Sequence, residues 1–425
     1  MVTRIKEGST GNQVPLGLED ILAAQARVSS VVNRTSLVKN DIFSKECGVE
    51  LYLKLENLQK TGSFKIRGAS NKIACLLEEA RLDPSVQPKG VIAASAGNHA
   101  QGVASAAAHN GLPAIVVMPQ GASLTKIRAC QEMGAKVIQF GASLEEAATE
   151  AKRLGQELGY TFLHPYDDWD VIAGQATLGL ELLEDLPDVT TVVVPLGGGG
   201  LLSGVTLAIK LQNPAVRIIG VQTETVCPYL GYIESGEYHK VEPGAFTIAD
   251  GIKVKSPGAC NSTVIRNFVD EIVTVDDNQI SEAIVALLER TRTISEGAGA
   301  VALAAMLRKK ITCEPGEKVA VVISGGNIDT TLVGRILDFG LVSSGRFMSV
   351  AVTIQDAPGK LAHLLNTVAE LGMNVRQIEH RRGELHIPVG MTEVILQIET
   401  KDWDHQEELI ARFASEGLFV RNLTA

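Results

Sequence analysis

Four short segments of the sequence combine glycine with residue types that bind anions or transfer protons. They are Thr61–Ala69 (TGSFKIRGA), Ala94–Gly102 (ASAGNHAQG), Pro195–Gly204 (PLGGGGLLSG) and Ile323–Asn327 (ISGGN). A lysine between small residues, as in the first segment, is a base and a nucleophile if its surroundings remove its charge. Taken alone, Lys65 is better explained as a solvated lysine, and its flanking glycines as turn residues.

The run Gly197–Gly200 is the most specific of these signals. Four consecutive glycines between a β-branched run and a helical run expose successive amides at a helix N-terminus, which is an arrangement that binds phosphate. The run is not a P-loop, because no Gly-Lys-Ser/Thr follows, and it lacks the GxGxxG spacing of dinucleotide sites. A flexible connector is the alternative, but the position after an apolar strand argues against it. We therefore predict a phosphate-binding loop.

Two other segments lie at the ends of predicted elements. In Ala94–Gly102, free amides at a helix start and small side chains allow a carboxylate to approach, and Asn98 can hydrogen-bond a ligand oxygen. A loop with a helix cap explains Gly97 and Asn98 equally well, and His99 alone is better explained as structural. Ser324 closes a predicted strand and faces the crevice where open α/β sheets bind ligands, although a helix cap also explains it.

The elements that position these segments alternate along the chain. From Gly90 onward, short β-branched runs alternate with runs of helical period, which predicts βαβ units and parallel sheets. Helices are predicted over Ala69–Ala80, Ser143–Leu158 and Asn278–Thr291. The predicted strands are Val91–Ala94, Ala114–Met118, Lys136–Phe140, Thr191–Pro195, Arg217–Gln222, Glu271–Val275 and Lys318–Ser324.

The order of elements changes after Leu341–Arg346, which contains the sequence Ser-Ser-Gly and is a predicted domain boundary. Beyond it the sequence predicts a βαββαβ order, which is the ferredoxin-like arrangement. Its elements are Met348–Ile354, Gly359–Leu371, Asn374–Arg382, Glu393–Glu399, Asp404–Ser415 and Phe419–Leu423. We predict an N-terminal α/β domain over residues 1–342 and an α+β domain over residues 347–425.

Bulk composition narrows the kind of partner. The 425 residues carry 39 Lys and Arg against 49 Asp and Glu, a net charge of -10, so no general attraction to nucleic acid or anionic membranes is encoded. A small-molecule partner fits better. The six scattered cysteines form no zinc or thiol-exchange motif and suggest a reducing compartment. We read no targeting signal in the first twenty residues and no membrane span, so we expect a cytoplasmic protein.

In this order, SFKIRG, SAGNHAQG, GGGGLLSG and SGGN resemble the fold-type-II pyridoxal-phosphate enzymes, threonine dehydratases in particular, from about Thr35 to Leu341. Ala249–Gly251 and Ser295–Ala300 are weaker matches. The resemblance implies a fold like the tryptophan synthase β subunit, with two open parallel-sheet subdomains, and pyridoxal 5'-phosphate as cofactor. The implied reaction converts L-threonine to 2-oxobutanoate and ammonia, with L-serine to pyruvate as a weaker activity.

The resemblance also implies residue roles. Those implied to bind the cofactor are Phe64, Lys65, Asn98, Gly197, Gly198, Gly199, Gly200, Leu201, Glu296 and Ser324. Those implied to bind the substrate are Ser95, Ala96, Gly97, Asn98 and His99. Lys65 and Ser324 are the implied catalytic pair: Lys65 holds the cofactor and removes the α-proton, and Ser324 faces the pyridine nitrogen. A serine there need not keep that nitrogen protonated, which favours elimination over transamination.

Other functions are left open by the sequence. Ala96 stands where serine racemases of the same family carry a serine as second base, which disfavours racemisation. β-Replacement, as in cysteine synthases, is a second enzymatic alternative, and a non-catalytic amino-acid sensor is the alternative outside enzymes. Some relatives bind a cation near the positions of Gln222 and Glu224, but the match is partial and no metal is assigned.

The C-terminal segment resembles an ACT domain. Asp356–Leu361 leads into a predicted helix and Gly372–Val375 into the next predicted strand. The resemblance implies an amino-acid effector site with Asp356 and Asn374 as candidate contacts, and feedback by a branched-chain amino acid is one form it can take. A purely structural pairing module is the alternative. Because both domains resemble ones that pair symmetrically, we expect a homodimer or homotetramer.

Overall fold

The computed structural model describes residues 14–424. The described residues divide into two compact units, an N-terminal unit up to residue 328 and a C-terminal unit from residue 329 onward. The reading of the first twenty residues falls mostly outside the described part and stays a prediction. The division lies before the helix Thr330–Ser343, whereas the sequence placed the boundary after residue 342. The Ser-Ser-Gly segment therefore follows a helix that groups with the C-terminal unit.

The N-terminal unit contains a six-stranded sheet with the order β1-β2-β10-β7-β8-β9. Its strands are β1 (Leu37–Lys39), β2 (Glu50–Leu55), β7 (Thr191–Pro195), β8 (Arg217–Thr223), β9 (Glu271–Val275) and β10 (Lys318–Ile323). All neighbouring strands pair in parallel except β1, which pairs antiparallel with β2 at the edge. Every residue of β7 is buried, as a strand covered on both faces requires.

A second, four-stranded parallel sheet has the order β5-β4-β3-β6. Its strands are β3 (Val91–Ala94), β4 (Ala114–Met118), β5 (Lys136–Gln139) and β6 (Thr161–Phe162). The two sheets confirm the predicted α/β class with two parallel-sheet subdomains. Both β5 and β10 end one residue earlier than predicted.

Twelve described helices surround these sheets. They are α1 (Leu18–Val28), α2 (Asp41–Cys47), α3 (Lys65–Leu82), α4 (Asn98–His109), α5 (Leu124–Glu132), α6 (Leu144–Leu158), α7 (Trp169–Asp185), α8 (Gly200–Lys210), α9 (Tyr232–Ser235), α10 (Ala259–Phe268), α11 (Asp277–Thr291) and α12 (Gly297–Leu307). Separate apolar clusters on the two faces of the four-stranded sheet join it to α4 and α5 on one side and to α6 on the other. The sheet is therefore covered on both faces.

Local sequence explains where several helices begin and end. The Ser143 side chain accepts a hydrogen bond from the backbone of Glu146 at the start of α6, and Gly159 ends that helix with φ 68°. Asp276 and Gln279 form a capping box on α11.

Helix α3 starts four residues before the predicted Ala69, so Lys65 is its first residue. Gly68, inside that helix, was read as a possible turn residue. It is buried where α3 approaches α7: a Cβ at Gly68 would lie 2.4 Å from Nε2 of Gln175 and 2.8 Å from the Val171 carbonyl oxygen. Close helix packing, not a turn, explains this glycine.

The C-terminal unit has the predicted βαββαβ order after a leading helix, α13 (Thr330–Ser343). Its elements are β11 (Phe347–Gln355), α14 (Lys360–Glu370), β12 (Asn374–Arg381), β13 (Met391–Glu399), α15 (Trp403–Ser415) and β14 (Phe419–Asn422). The antiparallel sheet order β12-β13-β11-β14 is that of a ferredoxin-like fold. Between residues 14 and 424, no helix has both the length and the apolar content needed to cross a bilayer.

Candidate active site

The loop that carries Lys65 is attached to the end of β10. The Phe64 amide donates to the Ser324 carbonyl at 3.1 Å, and the Gly326 amide donates to the Gly62 carbonyl at 2.9 Å. Ser63 and Gly325 form an isolated antiparallel bridge between them. The SFKIRG and SGGN segments, more than 250 residues apart in the chain, therefore lie side by side.

The Lys65 amine points into the site. Its Nζ donates to the Pro165 carbonyl oxygen at 2.8 Å and lies 5.1 Å from the centre of the Phe64 ring. Burial lowers the pKa of Lys65 to about 8, although the negative charge of Glu296 opposes the shift. Near that pH a substantial fraction of the amine is neutral, which makes it a nucleophile and a base.

The tetraglycine run forms the turn between β7 and α8. Gly199 has φ 101°, which favours glycine, and a Cβ at Gly198 would lie 2.4 Å from Cγ of Tyr166. A Cβ at Gly197 would lie 2.8 Å from the Cα of Ile252. The back of the turn is thus packed without space for side chains, and the first amides of α8 have no acceptor within the helix. Such a turn binds an anion.

A short turn links the lysine to the glycines. Pro165 accepts the hydrogen bond from Lys65, and the ring of the next residue, Tyr166, packs against Gly198. The Lys65 amine and the tetraglycine turn therefore both contact the segment Pro165–Tyr166 and lie near each other. Neither Pro165 nor Tyr166 belongs to any of the four segments singled out in the sequence, and no signal there pointed to them.

Asn98, the first residue of α4, joins two further parts of the site. Its Nδ2 donates to Oε1 of Glu296 at 2.6 Å, and its Oδ1 accepts from Nδ2 of Asn327 at 2.8 Å. Burial raises the pKa of Glu296 to about 7, against the opposing effect of the hydrogen bond from Asn98. Asn327, which also donates to the Thr61 carbonyl at 2.8 Å, was quoted in SGGN but not assigned a role.

The predicted substrate loop follows β3. The Ser95 hydroxyl accepts from the Gly97 amide at 3.1 Å, and a Cβ at Gly97 would meet nothing within 4 Å, so this side of the loop is open. His99 differs: it is buried and its Nε2 lies 3.0 Å from the Leu163 carbonyl oxygen. Burial lowers the pKa of His99 to about 3, so the ring is neutral and its side chain is engaged in the fold.

Comparison with known proteins agrees with this geometry. Residues 28–325 match the family model described as pyridoxal-phosphate dependent enzyme. The chain belongs to this family. It is 49% identical over 404 residues to the L-threonine ammonia-lyase of Thermotoga maritima, covering 95% of this chain and 98% of that protein.

Two solved structures are also similar to this pyridoxal-phosphate-dependent enzyme. The processed form of a threonine deaminase from Solanum lycopersicum is 36% identical, with a TM-score of 0.69, and the match covers 76% of this chain and 86% of that one. The maize serine racemase is 35% identical, with a TM-score of 0.70, and the match covers 76% and 97%.

The described residues fit pyridoxal phosphate. Lys65 offers a partly neutral amine, and Gly197–Gly200 offers a turn in which added side chains would collide with the protein itself. Ser324 is 3% exposed, and its hydroxyl makes only a long hydrogen bond, 3.4 Å, to the Ala298 carbonyl. Leu201 is buried in the first turn of α8. An amine, an anion-binding turn and a neutral hydroxyl are what the aldehyde, phosphate and pyridine ring of this cofactor require.

A buried ion network beneath the lysine was not anticipated. Arg67, two residues after Lys65, makes paired hydrogen bonds to both oxygens of Glu56 (2.9 and 2.8 Å) and of Glu181 (2.7 and 2.9 Å). Lys54 donates to Glu181 at 2.7 Å. Both cations are fully buried, so α3 is tied to β2 and α7 at its first turn. Four residues scattered over 128 positions form no sequence motif.

The candidate effector contacts are not brought together. Asn374 pairs with Glu399, opposite the start of β11, whereas Asp356 follows the end of β11. At about 3.3 Å per residue, roughly 30 Å separates them within one chain. Asp356 is also bound by Arg382 at 2.9 and 3.1 Å, and Asn374 donates to Glu399 at 3.1 Å. One ligand cannot touch both residues of the same chain.

The two residues considered for a cation are engaged in the fold. Gln222 is buried and donates to the Leu196 carbonyl at 3.3 Å, and Glu224 lies 3.6 Å from the amine of Lys310. Within residues 14–424, no group of three or more His, Cys, Asp or Glu side chains is arranged to hold a metal ion. Metal stays unassigned.

Proposed function

We propose that this enzyme is a threonine ammonia-lyase, converting L-threonine to 2-oxobutanoate and ammonia and L-serine, more slowly, to pyruvate. The observation that carries the proposal is the link from the Lys65 amine through Pro165 and Tyr166 to the tetraglycine turn. Similarity to an L-threonine ammonia-lyase over 95% of the chain supports the same reaction.

The chain's own residues have separable roles in this reaction. Bound pyridoxal phosphate supplies a sink for the electron pair left when the Cα–H bond breaks. Lys65 removes the proton from Cα, and the open Ser95–Gly97 loop orients the substrate carboxylate. The amides of Gly197–Gly200 hold the phosphate, and the Ser324 hydroxyl leaves the ring nitrogen uncharged. The β-hydroxyl takes up one proton, which balances the proton removed from Cα, and leaves as water. One water molecule is then consumed in hydrolysis, which releases ammonia and the 2-oxo acid.

The direct test is release of 2-oxobutanoate from L-threonine by the purified protein. Lys65→Ala should lower the rate by at least about 1,000-fold and remove the visible absorbance of the bound cofactor, because base and attachment point are lost together. Lys136→Ala, at an exposed lysine of β5, is the matched control and should leave both unchanged. A wild-type protein that binds cofactor but releases no keto acid would refute the proposal.

A racemase is the second candidate, because the fold is equally similar to a serine racemase. Ala96, in the open loop, has no group able to deliver a proton to the opposite face of Cα. Chiral analysis of serine remaining after partial turnover should therefore find only the L form. Accumulation of D-serine would favour the racemase, and a requirement for an added nucleophile would favour β-replacement.

We also propose that the ferredoxin-like unit is an ACT-type regulatory domain that binds an amino acid between paired copies of the chain. The separation of Asp356 and Asn374 within one chain is compatible with a site to which two chains each contribute one residue. Feedback by isoleucine would place the enzyme in isoleucine biosynthesis. Turnover measured with and without isoleucine and valine, together with light scattering for the size of the assembly, tests this; Asp356→Asn should change the response and leave basal turnover unchanged.

A further inference from the structure

The turn Leu163–Asp167, between β6 and α7, contacts three parts of the candidate site: His99, Lys65 and the tetraglycine turn. Its carbonyl groups face the ring of His99 and accept from the amine of Lys65, and its tyrosine ring packs behind Gly198. A shift of this one segment would therefore move the lysine's partner and the wall of the phosphate turn together.

The far end of the turn is anchored on α10. The carboxylate of Asp167 accepts from the amides of Ala259 at 3.1 Å and Cys260 at 2.9 Å, at the helix start. The Asn261 side chain donates to the Tyr166 carbonyl at 3.0 Å. These bonds fix the C-terminal end of the turn. None of them involves Pro165, so the position of its carbonyl depends on contacts inside the turn.

Inside the turn, the His164 side chain accepts two hydrogen bonds from backbone amides. Nδ1 of His164 accepts from the Asp167 amide at 2.8 Å and from the Tyr166 amide at 3.4 Å. The imidazole also meets the Tyr166 ring edge-on, with centres 4.7 Å apart and planes at 84°. Pro165 has no N–H to contribute to the turn. Burial lowers the pKa of His164, which favours the neutral ring, and the two amides that donate to Nδ1 favour the tautomer whose proton is on Nε2.

We infer that His164 is a positioning residue, whose Nδ1 holds this turn so that the Pro165 carbonyl faces the Lys65 amine and the Tyr166 ring supports the phosphate turn. The inference extends the proposed function and rests on it for the role of Lys65. His164 acts through its neighbours, so its loss should weaken cofactor binding and proton removal without unfolding the unit.

The test compares three variants. His164→Leu removes the acceptor and keeps a similar volume, whereas His164→Asn places an amide oxygen where Nδ1 stands and can accept the same two amides. His109→Leu, at the exposed end of α4, is the control for the same chemical change elsewhere. Affinity for pyridoxal phosphate is measured by absorbance titration of cofactor-free protein. Hydrogen exchange is measured for residues 163–167 and 197–200. The thermal unfolding midpoint of each variant shows whether its fold is intact.

We expect His164→Leu to weaken cofactor affinity and to speed exchange in both segments about tenfold, which is the effect of leaving one half-buried amide without its acceptor. In the holoenzyme kcat should fall while KM changes little. His164→Asn should restore most of each value. Unchanged affinity and exchange in His164→Leu, or losses in His164→Asn as large as those in His164→Leu, would overturn the inference.

A measurement on the unaltered protein remains decisive if a variant does not fold. Nitrogen NMR of histidine-labelled cofactor-free protein should show His164 protonated on Nε2 at neutral pH, and a ring protonated on Nδ1 would overturn the inference. Failure of the proposed function can be told apart from failure of this inference. If the wild-type protein makes no keto acid, the proposed function fails, but the affinity, exchange and tautomer measurements still test the role of His164.

Discussion

Two groups of buried charge in the N-terminal unit behave in opposite ways. Burial opposes the charges of Glu56 and Arg67, but their mutual ion pair and hydrogen bonds outweigh it, so the pKa of Glu56 is lowered and that of Arg67 raised. For Lys65 and Glu296 burial wins: the pKa of the lysine falls to about 8 and that of the carboxyl rises to about 7.

The difference lies in the partners. Arg67 forms four hydrogen bonds to two carboxylates, whereas the only hydrogen bond described for the Lys65 amine is to a carbonyl. Charges paired in this way stay ionised and tie elements together; groups left without an ionic partner titrate near neutral pH and can exchange protons. The ion network of Arg67 therefore holds α3, the helix that carries Lys65.

Breaking the ion network should give the largest change in stability. Arg67→Met leaves Glu56 buried without an ion-pair partner and Glu181 with Lys54 as its remaining cation, and it should lower the free energy of unfolding by about 3–5 kcal/mol. Arg153→Met, which removes exposed ion pairs to Glu150 and Glu157, should change it far less, because solvent screens exposed charges. Urea unfolding of cofactor-free protein measures both. Equal effects would mean that burial of the network contributes nothing.

The two buried carboxyls should respond to pH with opposite sign. The raised pKa of Glu296 means that the folded state keeps a proton that the unfolded state loses between about pH 4.5 and 7. Stability therefore falls as the pH rises through this range, and the full loss is present above pH 7. At pH 8, Glu296→Gln should stabilise cofactor-free protein by on the order of 1–3 kcal/mol, and the gain should vanish towards pH 4.5.

Glu56→Gln should show the opposite dependence of stability on pH from Glu296→Gln. The lowered pKa of Glu56 contributes stability above the unfolded value of 4.5 that is lost in acid, so this variant should be destabilised at pH 7 and approach wild type as the pH falls. Unfolding curves at a series of pH values give both trends. The same sign for both variants would contradict the comparison.

The smallest stability effect is expected at Lys65 itself. Its lowered pKa means that the charged amine is unfavourable in the folded state below about pH 8, so Lys65→Met should leave cofactor-free protein at least as stable as wild type at pH 7. The wild type should gain on the variant as the pH rises from 8 towards 10.5. A clear loss of stability at pH 7 would show that Lys65 has an ionic partner in the fold.

The sequence predicted well those features that depend on neighbouring residues, namely strands and glycine turns. Strands such as Thr191–Pro195 are runs of β-branched residues with both faces buried, and glycines at a strand end leave few alternatives for Gly197–Gly200. The predicted start of α3 was wrong, because the close contact of Gly68 with α7 has no local signature in the sequence.

The residues that the sequence missed act through long-range contacts. Glu181 meets Arg67 from 114 positions away, and Pro165 meets Lys65 from 100 positions away. Neither pairing follows from periodicity or from a short motif, since both depend on how α3, α7 and β2 pack. The chemical groups of the candidate site were thus predictable from the sequence, whereas the residues that contact and position them were not.

Strand β10 occupies a central place in the large sheet, between β2 and β7, although it is the last strand of its unit to be synthesised. Until β10 has left the ribosome, β2 has no parallel neighbour and the Phe64 amide lacks the Ser324 carbonyl as its acceptor. We therefore expect the candidate site to be assembled only after residue 325 has been made.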